Sequence, residues 1–136
     1  MLINCRNVRI QWGDCDPAGI VFFPRYFAIF DDSTAMLFER ALGVTKFELM
    51  QRERFSGFPL VDIRARFLIP SRFGDDVVVE SGVAEFRRSS FDVQHRLLKA
   101  GALAVECLET RVWMFKDEDG RMKGVPIPEE IRAKFA

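Results

Sequence analysis

Asp14 and Asp16 flank Cys15 in the stretch GDCDPAGIVFFPRYF, residues 13–27. Two carboxylates this close suit nucleophilic or general acid–base work when one of them borders an apolar pocket, because the surroundings then set its chemistry. The same residues also make a sound turn, since Asp accepts from nearby backbone N–H groups and Pro and Gly shape the bend. Downstream, Pro24 stands where a helix would start, at a position that needs no N–H donor. A helix N-terminus presents free N–H groups and partial positive charge. Pro24 donates nothing, so Phe23 and Arg25 are the nearest donors. A carbonyl oxygen aimed there would be polarised as in an oxyanion hole. Asp16 could then attack the carbonyl carbon or activate a water beside it. On these residues alone, catalysis and a plain turn both stay open.

Other chemistry is thinly represented. The chain has one histidine, His95, in the alternating segment FDVQHRL on the same face as Phe91, Val93 and Leu97, which favours a packed or hydrogen-bonded role. Cys15 lies between two acids and lacks the positive surroundings a reactive thiolate needs. Cys5, Cys15 and Cys107 are odd in number with no CxxC spacing, so neither a disulfide framework nor a zinc site is expected. GxSxG, GxGxxG, Walker and HExxH patterns are missing. Arg87 and Arg88 adjoin at a strand end, with Lys99 and Lys123 elsewhere. They read either as a solvated rim or as a local phosphate site.

The elements that must position these groups follow from periodicity. RNVRIQW, residues 6–12, alternates Val8, Ile10 and Trp12 with polar residues and predicts a half-buried strand. Tyr26, Phe27, Phe30, Thr34, Leu37, Phe38, Ala41 and Leu42 recur at three- and four-residue spacing. They predict one long helix of about five turns, closed by Gly43. TKFE at 45–48 fits a capping box for a shorter helix that should fade near Phe55–Gly57. After Pro59 the period becomes two. Val61, Ile63, Ala65 and Phe67 alternate with charged residues, SRFGDD turns the chain, and VVVESGVAEFRR, SFDVQHRLLK and ALAVECLETRVWMF predict three further strands. KAGA and DEDG supply hairpin turns, and IPEEIRAKF a short terminal helix or turn. Strands in series need no crossover helices, so the class is α+β with a largely antiparallel sheet covering the long helix.

Across 136 residues the expectation is one domain, residues 1–136, with a self-sufficient core. Twenty Lys and Arg balance twenty Asp and Glu, so nothing global favours nucleic acid or an anionic membrane, and any anion site must be local. Neither a signal segment nor a run of transmembrane length is apparent, and a cytoplasmic location is expected. Fourteen Phe against one Tyr suggest a thick core or a large apolar interface.

The stretch GDCDPAGIVFFPRYF closely resembles the signature of the 4-hydroxybenzoyl-CoA thioesterase family, a branch of the hot-dog-fold thioesterases. FDDSTAMLFERALG resembles that family's central helix, GFPLVDIRARFLIPSRFGDDVVVESGV its second and third strands, and FRRSSFDVQHRL its next hairpin, so nearly the full chain is covered. The resemblance implies a curved antiparallel sheet around one long helix, and active sites across a homodimer interface, often within a homotetramer. It implies hydrolysis of an aromatic acyl-CoA such as 4-hydroxybenzoyl-CoA, with Asp16 as nucleophile or general base and the Phe23 amide polarising the carbonyl. It places Gly19, Phe22 and Asp31 at the substrate, Asp31 as a reader of a ring hydroxyl, and Arg87, Arg88 and Lys123 at CoA. Phe22 and Phe23 stand where the family carries more polar aromatics, and Ser89 replaces a basic residue after the double arginine. Coenzyme A is part of the substrate, and no metal or other cofactor is implied. The alternatives are a broad short-chain aliphatic acyl-CoA thioesterase and a non-catalytic acyl-CoA binding module. A hot-dog hydratase is disfavoured because its His-containing motif is missing.

Overall fold

The computed structural model describes residues 1–52 and 54–136. Strand β1 (Asn4–Arg9) leads through a 3-10 turn (Trp12–Asp14) to the long helix α1 (Phe23–Leu42) and the short helix α2 (Lys46–Arg52). Strands β2 (Leu60–Phe67), β3 (Asp76–Phe86), β4 (Ser90–Lys99) and β5 (Ala102–Val112) follow. A small hairpin, β6 (Met114–Lys116) and β7 (Met122–Gly124), and helix α3 (Glu129–Ala133) complete the order. The five long strands form an antiparallel sheet in the order β1-β3-β4-β5-β2, which leaves β2 with one unpaired edge.

Helix α1 forms where its spacing predicts. Pro24 occupies the first turn, and Gly43 closes the helix in the left-handed conformation at φ 72°, its N–H donating to the Glu39 carbonyl. The Thr45 and Glu48 side chains each accept from the other's backbone N–H, at 3.1 and 3.2 Å, as a capping box requires. The last described helical residue of α2 is Arg52. Ser56 and Gly57 instead exchange backbone hydrogen bonds with Met114, which draws that stretch away from the helix expected to reach it.

Two further expectations are corrected. The first strand ends at Arg9, and Trp12 lies in the 3-10 turn, 77% exposed, with its ring edge-on to Phe73. The last strand is broken at Trp113, whose N–H donates to the Ser89 carbonyl. Beyond it the chain pairs with β7. The KAGA hairpin has both central residues in the left-handed region, Ala100 at φ 49° and Gly101 at φ 80°, the twist that tight hairpins need.

The core divides along α1. Tyr26, Ile29 and Phe30 pack with Ile10, Val77, Val79, Leu97 and Val105, whereas Leu37 and Phe38 pack with Phe58, Val83, Phe91, Trp113 and Phe135. Phe38 alone lies within 4.7–5.2 Å, ring to ring, of Phe58, Phe91 and Phe135. Truncating it to Ala removes contacts of a size that typically costs about 3–5 kcal/mol. Between the two halves lies a buried polar layer of Ser33, Thr34, Ser81, His95, Glu109 and Arg111.

Candidate active site

The GDCDPAG stretch folds as a chain of short-range hydrogen bonds. Asp14 braces the turn, its Oδ2 accepting from the Gln11 N–H at 2.8 Å. The Asp16 N–H donates to the Ile20 carbonyl (3.0 Å), and the Gly19 N–H donates to the Asp16 carbonyl (2.9 Å). Gly19 needs its φ of 84°, where a Cβ is disfavoured. Asp16 is half-buried, and its Oδ1 accepts from the Ala18 N–H at 2.8 Å. Its second carboxylate oxygen has no protein partner among the described residues.

The helix start sharpens the choice of donor. The Phe22 N–H is spent on the Asp14 carbonyl and the Arg25 N–H on the Phe22 carbonyl, both at 2.8 Å. Pro24 has none. The Phe23 N–H, first in the helix, meets no acceptor among the described residues, so of the two donors the sequence left open it alone remains available. A cavity of about 270 Å³ adjoins it, lined by residues that include Ile20, Val21, Phe23, Tyr26, Phe67 and Ile69. Phe22 and Phe23 are themselves exposed, with rings 5.6 Å apart. A carbonyl group entering here would meet a helix N-terminus and an apolar wall, and the Asp16 backbone is joined to that wall through its hydrogen bond to Ile20.

The basic residues lie elsewhere. The turn carrying Asp16 is tied to the start of β3, because the Val21 N–H donates to the Ser71 carbonyl and the Gly74 N–H to the Ile10 carbonyl. Arg87 and Arg88 follow the other end of β3, roughly 33 Å away at about 3.3 Å per residue. Arg87 is already committed. It forms a two-pronged pair with Asp92 (2.6 and 3.1 Å), donates to Ser90 Oγ and approaches Glu85. The Asp92 carboxylate raises the Arg87 pKa, and the guanidinium in turn holds the Asp92 carboxyl below the usual range. Arg88 and Lys123 are exposed cations with no side-chain partner among the described residues. They share one end of the molecule, because Gly124 packs so closely on Ser89 that a Cβ there would stand 3.0 Å from Ser89 Oγ.

Asp31 lies eight residues into α1 from Phe23, about 12 Å along the axis at 1.5 Å per residue. Its side chain is 67% exposed, yet its Oδ1 accepts from Arg111 Nη2 at 2.8 Å. Arg111 is buried, and its guanidinium also donates to Glu109 (2.9 and 3.2 Å) and to the Phe58 carbonyl. Glu109 accepts further from Thr34 Oγ1 (2.6 Å) and pairs with His95 Nε2 (2.9 Å), while Ser81 Oγ meets His95 Nδ1 at 2.7 Å. Burial pushes the Glu109 carboxyl up, but hydrogen bonds from His95 and Arg111 outweigh it and hold its pKa at about 2. Ser81, His95 and Glu109 thus have the connectivity of a hydrolytic triad, but their exposures of 1%, 0% and 1% leave no path for a substrate. His95 is structural, stacked 4.9 Å from Phe30.

Sequence reasoning missed Thr34, Glu109 and Arg111 as partners. The signal was present: Glu109 and Arg111 fall on the inward parity of β5, with Val105 and Cys107. Among the described residues no group of three or more His, Cys, Asp or Glu could hold a metal ion, and no helix is long and apolar enough to cross a membrane.

Comparison with known proteins converges on one family. The profile of the thioesterase-like superfamily matches residues 10–135. The chain is 30% identical over 128 residues to 4-hydroxybenzoyl-CoA thioesterase of Pseudomonas sp. strain CBS-3, covering 90% of this chain and 89% of that one. An aspartate-to-asparagine variant of 4-hydroxybenzoyl-CoA thioesterase, crystallised with 4-hydroxybenzoyl-CoA, superposes with a TM-score of 0.91 at 25% identity, covering 98% and 99% of the two chains. A gentisyl-coenzyme A thioesterase superposes at 0.85 with 30% identity, covering 98% and 100%. The antiparallel sheet with its single long helix is the hot-dog fold, and the chain belongs to the thioesterase-like superfamily.

Proposed function

We propose that the protein hydrolyses an aromatic acyl-CoA thioester, of the 4-hydroxybenzoyl-CoA kind, to the free acid and CoA. The thioester carbonyl is bound at the N-terminus of α1 on the Phe23 amide. Asp16 acts on the carbonyl carbon, either attacking it to form a mixed anhydride or taking a proton from the water that attacks. In both routes a C–O bond forms, the C–S bond breaks, and CoA leaves as the thiolate. The negative charge that develops on the carbonyl oxygen is stabilised by the Phe23 N–H and the helix terminus. The carrying observation is that Phe23 alone of the first helical donors is unspent, beside an Asp16 that keeps one carboxylate oxygen free.

Several features favour a compact aromatic acyl group. The cavity of about 270 Å³ is small for a ligand site and walled by Phe23, Tyr26 and Phe67. Two of the relatives are named for hydroxybenzoyl and gentisyl esters. Asp31, pinned through one oxygen by Arg111, keeps the other for a ring hydroxyl.

The working unit is a homodimer, and two dimers form a tetramer. Strand β2 offers an unpaired edge, and Leu60, Val61, Phe67 and Leu68 on and beside it are exposed. An edge-to-edge antiparallel partner reverses the strand direction, bringing the opposite ends of two chains together. That pairing answers the separations in one chain. The 12 Å rise between Phe23 and Asp31 exceeds a hydroxybenzoyl group, and the length of β3, roughly 33 Å, lies between the end tied to the Asp16 turn and the end followed by Arg88. Asp31 of the partner subunit then reads the ring hydroxyl. Gly19 and Phe22 line the entry, and Arg88 and Lys123, braced by the Arg87 hairpin, hold the CoA phosphates.

The test is thiol release from benzoyl, hydroxybenzoyl and short aliphatic CoA esters by wild type and Asp16→Asn. Hydrolysis of hydroxybenzoyl-CoA, lost in the variant, is the expected result. Activity on aliphatic esters alone overturns the aromatic assignment, and unchanged cleavage by Asp16→Asn overturns the mechanism.

A further inference from the structure

Two tight hairpins of the main sheet are built differently. At the β4–β5 turn, Ala100 and Gly101 both take a left-handed φ, which suits the twist of paired strands. The β3–β4 turn, Arg87-Arg88-Ser89-Ser90, contains no glycine, and none of its residues has a positive φ. Bonds from outside hold its backbone instead. The Ser89 carbonyl accepts from the Trp113 N–H at 2.7 Å, and the Arg88 carbonyl from the Ile127 N–H at 2.9 Å. The Arg132 side chain, on α3, adds the rest: Nη2 donates to the carbonyls of Arg87 and Arg88, and Nε to that of Ile127. Its guanidinium lies 5.6 Å from the centre of the Phe86 ring. Arg87 is neutralised by Asp92 and Glu85, whereas Arg88, Lys123 and Arg132 have no carboxylate partner among the described residues. The turn is therefore a cationic knuckle whose shape is imposed by the C-terminal segment.

We infer that Arg132 is a positioning residue: by bonding the Arg87 and Arg88 carbonyls it sets where the Arg88 guanidinium stands, and thereby the affinity for CoA. The inference rests on the reading above, in which Arg88 and Lys123 hold the CoA phosphates. Arg88 is exposed and has no side-chain partner among the described residues, so its backbone alone directs it. The planar guanidinium of Arg132 fixes the directions of its N–H groups, which a lysine ammonium would not do. Ile127 joins the same network through both its N–H and its carbonyl. The segment that runs from Lys123 through Ile127 to Arg132 thus couples the two cations to each other.

The experiment measures kcat and KM of wild type, Arg132→Ala and Arg132→Gln on two substrates. One is the CoA ester that wild type cleaves fastest in the panel above; the other is the same acyl group on pantetheine, which lacks the nucleotide and its phosphates. Wild type should show the lower KM for the CoA ester. Arg132→Ala should raise that KM about tenfold, with kcat and both constants for the pantetheine ester unchanged. Arg132→Gln keeps one donor group and a good helix former, so its rise should be smaller, and it carries the test if the Ala chain does not fold. In an Arg88→Ala background neither substitution should add to KM, because the residue it positions is gone. An unchanged KM, an equal loss on both esters, or the same rise with and without Arg88 overturns the positioning role and leaves the thioesterase reading intact. Equal KM values for the two esters in wild type overturn the phosphate clamp and this assignment together.

Discussion

The molecule holds two constellations that look able to do chemistry, and they differ in what surrounds them. The core set of Ser81, His95 and Glu109, extended by Thr34 and Arg111, is fully hydrogen-bonded and closed to solvent. The turn carrying Asp16 is sparse by comparison, with one hydrogen bond to the carboxylate and one unspent amide beside a cavity. A saturated network holds α1 against β3, β4 and β5. An unsaturated one has capacity for a substrate. Catalytic potential here lies in unfilled bonding capacity at an accessible place, not in the familiarity of the residue set.

That contrast can be broken or sharpened by experiment. The largest effect is expected from Glu109→Ala, which leaves Arg111 buried without its main anion. Loss of one partner of a buried pair costs about 3–5 kcal/mol, read as a fall in the urea midpoint. A normal midpoint would remove the structural role of the core set. Asp16→Asn should do the reverse. It keeps the oxygen that accepts from Ala18, so melting should hold near wild type, while turnover falls by about 10²–10³ or more, by analogy with losing an oxyanion donor.

The pH dependence of stability sharpens the same contrast. The Glu109 pKa is about 2 in the folded protein against an ordinary 4.5, so the unfolded chain binds the proton more readily. Its contribution is therefore fully present above pH 4.5 and is lost as pH falls toward 2. It amounts to about 3 kcal/mol at most. Asp92, held low by Arg87, adds to the loss with the same sign. Denaturation midpoints between pH 5 and 2 should fall in wild type and fall less in Glu109→Ala. The smallest effects belong to the rim. Arg88→Ala with Lys123→Ala should raise KM for acyl-CoA, most strongly at low salt, with stability unchanged. Arg87→Ala should instead cost about 1 kcal/mol or less of stability, since its pair with Asp92 is partly exposed.

Much of this was legible in the chain. The helix spacing from Tyr26 to Leu42, Pro24 and Gly43 located α1, and the period of two after Pro59 located β2 to β5. What escaped was non-local. Thr34 and Glu109 are 75 residues apart, Asp31 and Arg111 are 80 apart, and no local pattern announces such pairs. The break at Trp113 carries no Gly or Pro, because the chain departs to meet Ser89, Gly57 and β7 rather than to make a turn. At the turn, the residues alone left Phe23 and Arg25 equal. Only the fold, by spending the Arg25 amide on Phe22, separates them.

The distance between the Asp16 turn and the Arg88 and Lys123 rim has a genetic consequence. If each catalytic centre in the proposed dimer draws its carboxylate from one chain and its cations from the other, two crippled alleles can rescue one another. Co-expressed Asp16→Asn and Arg88→Ala/Lys123→Ala chains would form hybrids with one intact centre and one doubly damaged, and turnover at limiting acyl-CoA would exceed the average of the two parents. Sites complete within a single chain would show no such complementation.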